Sequence, residues 1–174
     1  EASGKSVAEN EQMIIDYSNA SMGYVMVKYK LNTSSKIKSQ VQCPSGTTYT
    51  YNVTPGRWEV FPLSEGDGSY KVSVFKNISG TSYSVSGSTS FTATLKNKLG
   101  PYLYTNQYVN YNSNTKCVKK AKKLCKNKKT EMDKVKAVYK WTIKYFKYDT
   151  EKARTVQSGY LPDLNKVYSA KKGI

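Results

Sequence analysis

The stretch TEMDKVKAVYKWTIKYFKYD, residues 130 to 149, decides how the chain is read. Met132, Val135, Val138, Tyr139, Thr142, Ile143 and Phe146 recur at helical spacing, which puts one mostly apolar stripe on one face. Thr130 stands where a helix N-cap is wanted, and Asp133 three residues later completes a variant capping box. Tyr148-Asp149 ends the helix, and a variable segment leads to Gly159-Tyr160-Leu161-Pro162. A second short helix is expected to start near Asp163, to bury Leu164, Val167 and Tyr168, and to end at Gly173.

The phrases VKAVYKWTIKYFKYD (135 to 149), GYLPDL (159 to 164) and KKGI (171 to 174), in this order and spacing, resemble the opening of a bacterial transglutaminase-like domain of the papain-like cysteine protease superfamily. The resemblance implies a helix ending in a W…Y-D phrase, a loop, a short helix, and then a Gly-x-Cys phrase. Its Cys opens the central helix and is the nucleophile. Gly173-Ile174 match the two residues before that Cys. The family's Cys-His-Asp arrangement needs a His to deprotonate the thiol and an acid to orient the imidazole. This chain has no His, and its three cysteines lie upstream of the expected position. The sequence is therefore expected to be the non-catalytic N-terminal part of such a protein. No residue in it is assigned a catalytic, cofactor-binding or metal-ligating role, and no cofactor is expected.

Charge is uneven along the chain. Residues 1 to 112 carry ten Lys/Arg against seven Asp/Glu, and residues 113 to 174 carry eighteen against five, giving +3 and +13. A balance of this kind favours anionic partners: nucleic acid, a membrane surface or an acidic wall polymer. Only two of the 28 cations are Arg. Base recognition generally uses the planar fork of Arg, so no specific nucleic-acid partner is expected. The composition is 38% hydrophobic and 13% aromatic, enough for a folded core. No apolar run is long enough to span a bilayer. The polar start at Glu1 suits a mature secreted or cell-surface chain.

Three cysteines are an odd number, and no disulfide framework follows. Cys117 and Cys125, eight residues apart on an expected helix, would lie ~12 Å apart at ~1.5 Å rise per residue, too far to bridge. They read as small buried hydrophobes. No Cys-x-x-Cys or Cys/His cluster supports a metal site.

Outward from the helix, toward the N-terminus, the pattern changes to period two. Residues 1 to 12 are polar and expected to fray, and Glu11 to Ala20 to form a helical turn or a lead-in loop. Strands are expected over 23–30, 36–42, 47–53, 57–63 and 70–78, with a tight hairpin at Ser79-Gly80. Thr81 to Leu95 is read as two short strands broken near Gly87. Glu65-Gly66-Asp67 offers two carboxylates, too few for a calcium loop, and reads as a turn. Four Asn-x-Ser/Thr matches, at Asn19, Asn32, Asn52 and Asn77, are expected by chance in a chain this rich in those residues.

Turns every eight to twelve residues point to a β-sandwich, Ig-like but without a Cys…Trp…Cys pairing. The phrases FPLSEGDGSY (61 to 70) and NQYVNY (106 to 111) resemble modules that precede transglutaminase-like domains in Gram-positive gut bacteria. Gly100-Pro101 marks a boundary, and 101–113 a Tyr- and Asn-rich connector. From Asn114 the period is helical, with Cys117, Val118, Ala121, Leu124 and Cys125 on one face and Lys119, Lys120, Lys122, Lys123 and Lys126 on the other. The reading is thus α+β: an Ig-like antiparallel β-sandwich over 1–100, then a small helical segment over 114–174, an incomplete transglutaminase-like core.

The function expected from the resemblance belongs to the longer parent protein, which would carry out Cys-dependent acyl transfer or amide hydrolysis on a protein or peptide substrate. Two other classes fit the residues. One is a module that binds acidic cell-wall polymer or glycan. The other is a basic nucleic-acid binder using the Lys-rich helix, although no aromatic residue is interleaved there to stack bases. In a whole transglutaminase-like domain the stripe Met132, Val135, Val138, Tyr139, Ile143 and Phe146 is expected to face the central Cys helix and its sheet. In this chain it is expected to pack on the Cys117–Cys125 helix, on the sandwich or on a second copy, with the preceding helix covering part of it and a homodimer the rest.

Overall fold

The first hundred residues form eight strands in the computed structural model, which describes residues 1–174, and alternation of apolar and polar residues marks several of them. They are β1 (Val7–Glu9), β2 (Met13–Asp16), β3 (Tyr24–Tyr29), β4 (Ile37–Gln42), β5 (Thr48–Val53), β6 (Trp58–Pro62), β7 (Gly68–Ser79) and β8 (Ser82–Ala93). Two four-stranded antiparallel sheets result, in the orders β1-β2-β3-β6 and β5-β4-β7-β8. Met13, Ile15, Val25, Val27, Tyr29 and Phe61 of the first meet Ile37, Val41, Tyr51, Val53, Val72 and Val74 of the second in a single hydrophobic core. Rings join the layers: Tyr51 stacks on Phe61 at 4.3 Å between centroids, and Tyr17 on Phe91 at 5.0 Å.

Three expectations change. The N-terminus does not fray. Asp16, fully buried, accepts hydrogen bonds from the backbone N–H of Gly4 at 2.8 Å and of Ser18 at 2.9 Å. The Ser18 hydroxyl accepts from the N–H of Lys5 and Ser6, and β1 then pairs with β2. Burial alone would raise the Asp16 pKa, but the hydrogen bonds outweigh it, and the carboxyl is held below its ordinary value. Second, the segment read as a helical turn or loop contains the core strand β2, and only Ala20–Met22 forms a 3-10 turn. Third, the expected break at Gly87 is a bulge within the continuous strand β8. Val74 pairs with Gly87 and Phe75 with Val85, which leaves Ser86 as the extra residue. Gly87 also lets the Met13 methyl come close, since a Cβ there would collide with it.

At the start of β7, the Tyr70 ring lies in the core and its hydroxyl donates to the Gly66 carbonyl at 3.0 Å. Burial pushes that hydroxyl up to about 12. Both carboxylates of the acidic loop before it accept hydrogen bonds. Glu65 accepts from the N–H and hydroxyl of Ser45, and Asp67 from the N–H of Leu95 at 2.7 Å.

The chain divides into two compact units, 1–107 and 108–174. The residues from Pro101 to Gln107, read from the sequence as connector, belong to the first. A 3-10 turn spans Gly100–Tyr102, and a Cβ on Gly100 would lie 2.5 Å from the Met22 carbonyl oxygen. Tyr102 donates to the Ser64 carbonyl, Gln107 donates to the Asn52 carbonyl, and the Tyr104 ring lies 4.7 Å from that of Tyr24.

The second unit contains α1 (Lys116–Cys125), α2 (Glu131–Tyr145), α3 (Thr150–Thr155) and α4 (Leu164–Ala170), with two-residue strands β9 (Lys147–Tyr148) and β10 (Lys172–Gly173) paired in parallel. Thr130 caps α2 by accepting from the Asp133 N–H and donating to the Asp133 carboxylate. Asp149 caps α3 and Asp163 caps α4, each through its carboxylate. The second expected helix is thus α4. It stops at Ala170, because Lys171 turns left-handed at φ 55°, and Gly173 continues into β10. Leu164, Val167 and Tyr168 are half-buried there, not buried. α3 was not foreseen. No helix is long and apolar enough to cross a membrane.

Candidate functional site: a basic helical unit with two apolar faces

The α2 sequence repeats apolar residues along two lines, and the structure half-buries Val138 and Phe146 of the expected stripe together with Trp141 and Tyr145, which that stripe left out. Ala137, Val138, Trp141 and Tyr145 are half-buried. The Trp141 ring lies 4.3 Å from Tyr145 and 5.9 Å from Tyr168 of α4, with Phe146 edge-on at 5.7 Å. This aromatic cluster is the small core of the unit. Cations lie over its rim: Lys120 Nζ is 5.3 Å from the Trp141 ring centre, and Lys171 Nζ 5.4 Å from that of Tyr145. Between α1 and α2 an apolar groove of 240 Å³ is lined by Cys117, Val118, Ala121, Leu124, Val138 and Phe146 among others.

The second line is Met132, Val135, Tyr139 and Ile143, which are 60%, 62%, 62% and 58% exposed. Of the stripe expected to pack as one surface, α1 covers only Val138 and Phe146 in part. The reason is angular. At 100° per residue Val138 lies some 60° or more around the helix from Val135 and Tyr139, so a helix over one face leaves the other open. The ring cluster could have been foreseen from the spacing of Trp141, Tyr145 and Tyr168, but the choice between two apolar faces could not.

Charge surrounds the open line. Lys136, Lys140 and Lys144 follow at four-residue intervals and are exposed. On α1, Lys119, Lys122, Lys123 and Lys126 are exposed too. Against them the unit has a single ion pair, Lys134 with Glu131 within the first turn of α2.

A polar cavity of 350 Å³ lies beside α3 and α4, lined by Asp149, Lys152, Tyr160, Asp163, Lys166 and Lys172 among others. Both aspartates are already helix caps, and Lys152 lies 4.1 Å over the Tyr160 ring while donating to its hydroxyl. The cavity holds no nucleophile–base pair.

The cysteines are apart. Cys43 is buried in the first unit, and burial with the nearby Glu65 charge pushes its thiol up to about 11, which keeps it protonated and inert. Cys117 lines the groove between α1 and α2, and Cys125 lines a shallow depression with Lys134, Val135, Val138 and Tyr139. All three are free thiols, and Cys117 and Cys125, expected to be buried, are only half-buried. No group of three or more His, Cys, Asp or Glu side chains comes together to hold a metal ion. The arrangement presents apolar side chains and excess positive charge together. Comparison of the chain with known protein families, curated proteins and solved structures finds no match.

Proposed function

We propose that the chain is the non-catalytic N-terminal part of a secreted or cell-surface bacterial transglutaminase-like protein. It comprises an Ig-like β-sandwich and the helical lead-in to a cysteine-nucleophile domain. The observation that carries this reading is the β9–β10 pair. The KYD phrase and the KKGI phrase on which the resemblance rests are well separated in sequence, yet they lie side by side. Lys147 N–H donates to the Lys171 carbonyl at 3.0 Å and Asp149 N–H to the Gly173 carbonyl at 2.9 Å. The segment from α2 to β10 therefore closes on itself, and Ile174 lies at the end of a hydrogen-bonded strand.

The first unit supports its half of the reading. With β2 to β8 labelled A, B, C, C′, E, F and G, the sheets run A-B-E and C′-C-F-G, with β1 added at the edge, an order of the Ig-like type. The Tyr70 hydroxyl on the Gly66 carbonyl, at the start of F, has the geometry of a tyrosine corner. In the parent protein a thiolate would attack an amide carbonyl with help from a His further along. This part would hold the segment from which that thiolate's helix starts. The test is to read the coding sequence past Ile174. A Cys as the next codon, with a His some tens of residues later, is the expected result. A stop codon, or a continuation with neither residue, overturns the proposal.

A further inference from the structure

We infer that the open face of α2 docks the helical unit on an anionic lipid surface, an inference that does not rest on the transglutaminase reading, in which the rest of the domain would compete for this face. Two observations meet on this helix. Met132, Val135, Tyr139 and Ile143 are each more than half exposed, and they line up along 12 of its 15 residues. At 1.5 Å per residue the helix is ~22 Å long, enough to lie flat on a surface with all four side chains pointing the same way. Immediately around the helix from that line, Lys136, Lys140 and Lys144 form an exposed basic row. The unit that carries them has eighteen Lys/Arg against five Asp/Glu.

The charge chooses among occupants. A second copy would bring two lysine rows and two units of +13 together across the seam. Like charges at such short range oppose association. A neutral apolar segment would cover the four side chains and leave the lysines unused. A soluble acidic polymer would engage the lysines and leave the four side chains wet. An anionic bilayer satisfies both: apolar side chains enter the boundary between headgroups and acyl chains, and lysines reach the phosphates. Tyr139 suits that depth, with a ring that is apolar and a hydroxyl that stays wet. The shallow depression lined by Cys125, Val135, Val138 and Tyr139 leaves room beside the line for an acyl chain.

The experiment is co-sedimentation of the full chain with vesicles of phosphatidylcholine alone, and of phosphatidylcholine with phosphatidylglycerol. Tyr139→Ser with Ile143→Ser tests the apolar line, and Lys136→Gln with Lys140→Gln and Lys144→Gln tests the basic row. These side chains are exposed, and unchanged circular dichroism confirms that each variant is folded. Expected are binding to the phosphatidylglycerol vesicles only, and a loss of roughly tenfold or more in either variant. Three results would overturn the inference. One is no binding to anionic vesicles even at low salt. Another is binding that the serine variant leaves intact, which would mean charge alone, as for an acidic polymer. The third is a concentration-dependent dimer in sedimentation that the serine variant dissociates, which would assign the face to a second copy.

Discussion

The two units are built from comparable side chains, yet they keep water out to very different degrees. In the first, Ile15, Val25, Val27, Tyr29, Phe61, Leu63, Tyr70, Val72 and Val74 are almost completely buried. In the second no hydrophobic side chain is, and Thr115 is the one buried residue. The cause is geometric. Two four-stranded sheets facing each other enclose an interior between them, and every second residue of each strand points into it. Short helices touch along lines, so each ring in the Trp141 cluster keeps one side in water. A unit of this size also buries a smaller fraction of its surface than a larger one. The first unit thus encloses its own core, whereas the second leaves large apolar side chains in water.

The largest expected effect breaks the first side of this comparison. Phe61→Ala removes a fully buried ring that stacks on Tyr51, and should cost about 3–5 kcal/mol. In urea, the transition followed by β-sheet signal should move to lower concentration while the helical signal keeps its midpoint. A joint shift of both would mean that the units unfold as one. Trp141→Ala is the matching change in the second unit. The ring joins Tyr145, Phe146 and Tyr168 but is half-exposed, so a smaller loss of about 2 kcal/mol is expected. It should appear at 222 nm alone. If Trp141→Ala leaves the helical transition unmoved, the aromatic cluster does not hold the unit together.

What the sequence showed follows the same division. Strands β3 to β7 were legible because alternation such as Val25, Val27 and Tyr29 is local. β2 was not, because Met13-Ile14-Ile15-Asp16 is too short for a pattern and becomes a strand by pairing with Met26 to Tyr29. The same holds for residues 1 to 12, whose order depends on Asp16 and Ser18, distant in sequence from the N–H groups that they accept. The bulge at Gly87 looked like a break because a glycine marks both. In the second unit Thr130 and Asp163 announced their helices correctly, since capping is a matter of a few neighbouring residues. The face of α2 was read only in part: Val138 and Phe146 are partly covered as expected, but Trp141 and Tyr145 lay outside the expected stripe, since periodicity finds apolar lines but cannot say which one a neighbour covers. The excess of positive charge was legible as a number, and its placement beside Met132, Val135, Tyr139 and Ile143 was not.

Two smaller changes sharpen the comparison within single hydrogen bonds. Tyr70→Phe keeps the ring in the core and removes the bond to the Gly66 carbonyl, for a loss of about 1 kcal/mol in the first unit. Thr130→Ala removes the cap of α2, for a loss of up to about 1 kcal/mol in the second. Urea midpoints read with the same two signals would separate them. If Tyr70→Phe were neutral, the hydroxyl would contribute nothing beyond what water supplies at that corner.

The smallest effect expected is that of pH, and it also falls on one unit. The chain has no His, so no side chain with an ordinary pKa near 6.5 titrates between pH 5 and 8. Neither unit should change stability much over that range. Below it the units part. Asp16 is fully buried, and its carboxyl is held below the ordinary value by Ser18 and by the N–H groups of Gly4, Ser18 and Ser3. The Glu65 carboxyl is lowered as well, first by the Ser45 hydroxyl and then by the Ser45 N–H. A carboxyl with a lowered folded-state pKa stabilises the fold fully above its unfolded value, and this contribution disappears as pH falls through the folded value. The first unit should therefore weaken as pH drops below about 4, near the ordinary carboxylate range. Asp16→Asn should remove most of that dependence while weakening the fold at neutral pH, because an amide accepts the same N–H groups less strongly than a carboxylate. Melting temperatures from pH 7 to 3, read at the β-sheet signal, test this. An acid loss that is the same with and without Asp16 would show that the N-terminal segment is not held by that charge.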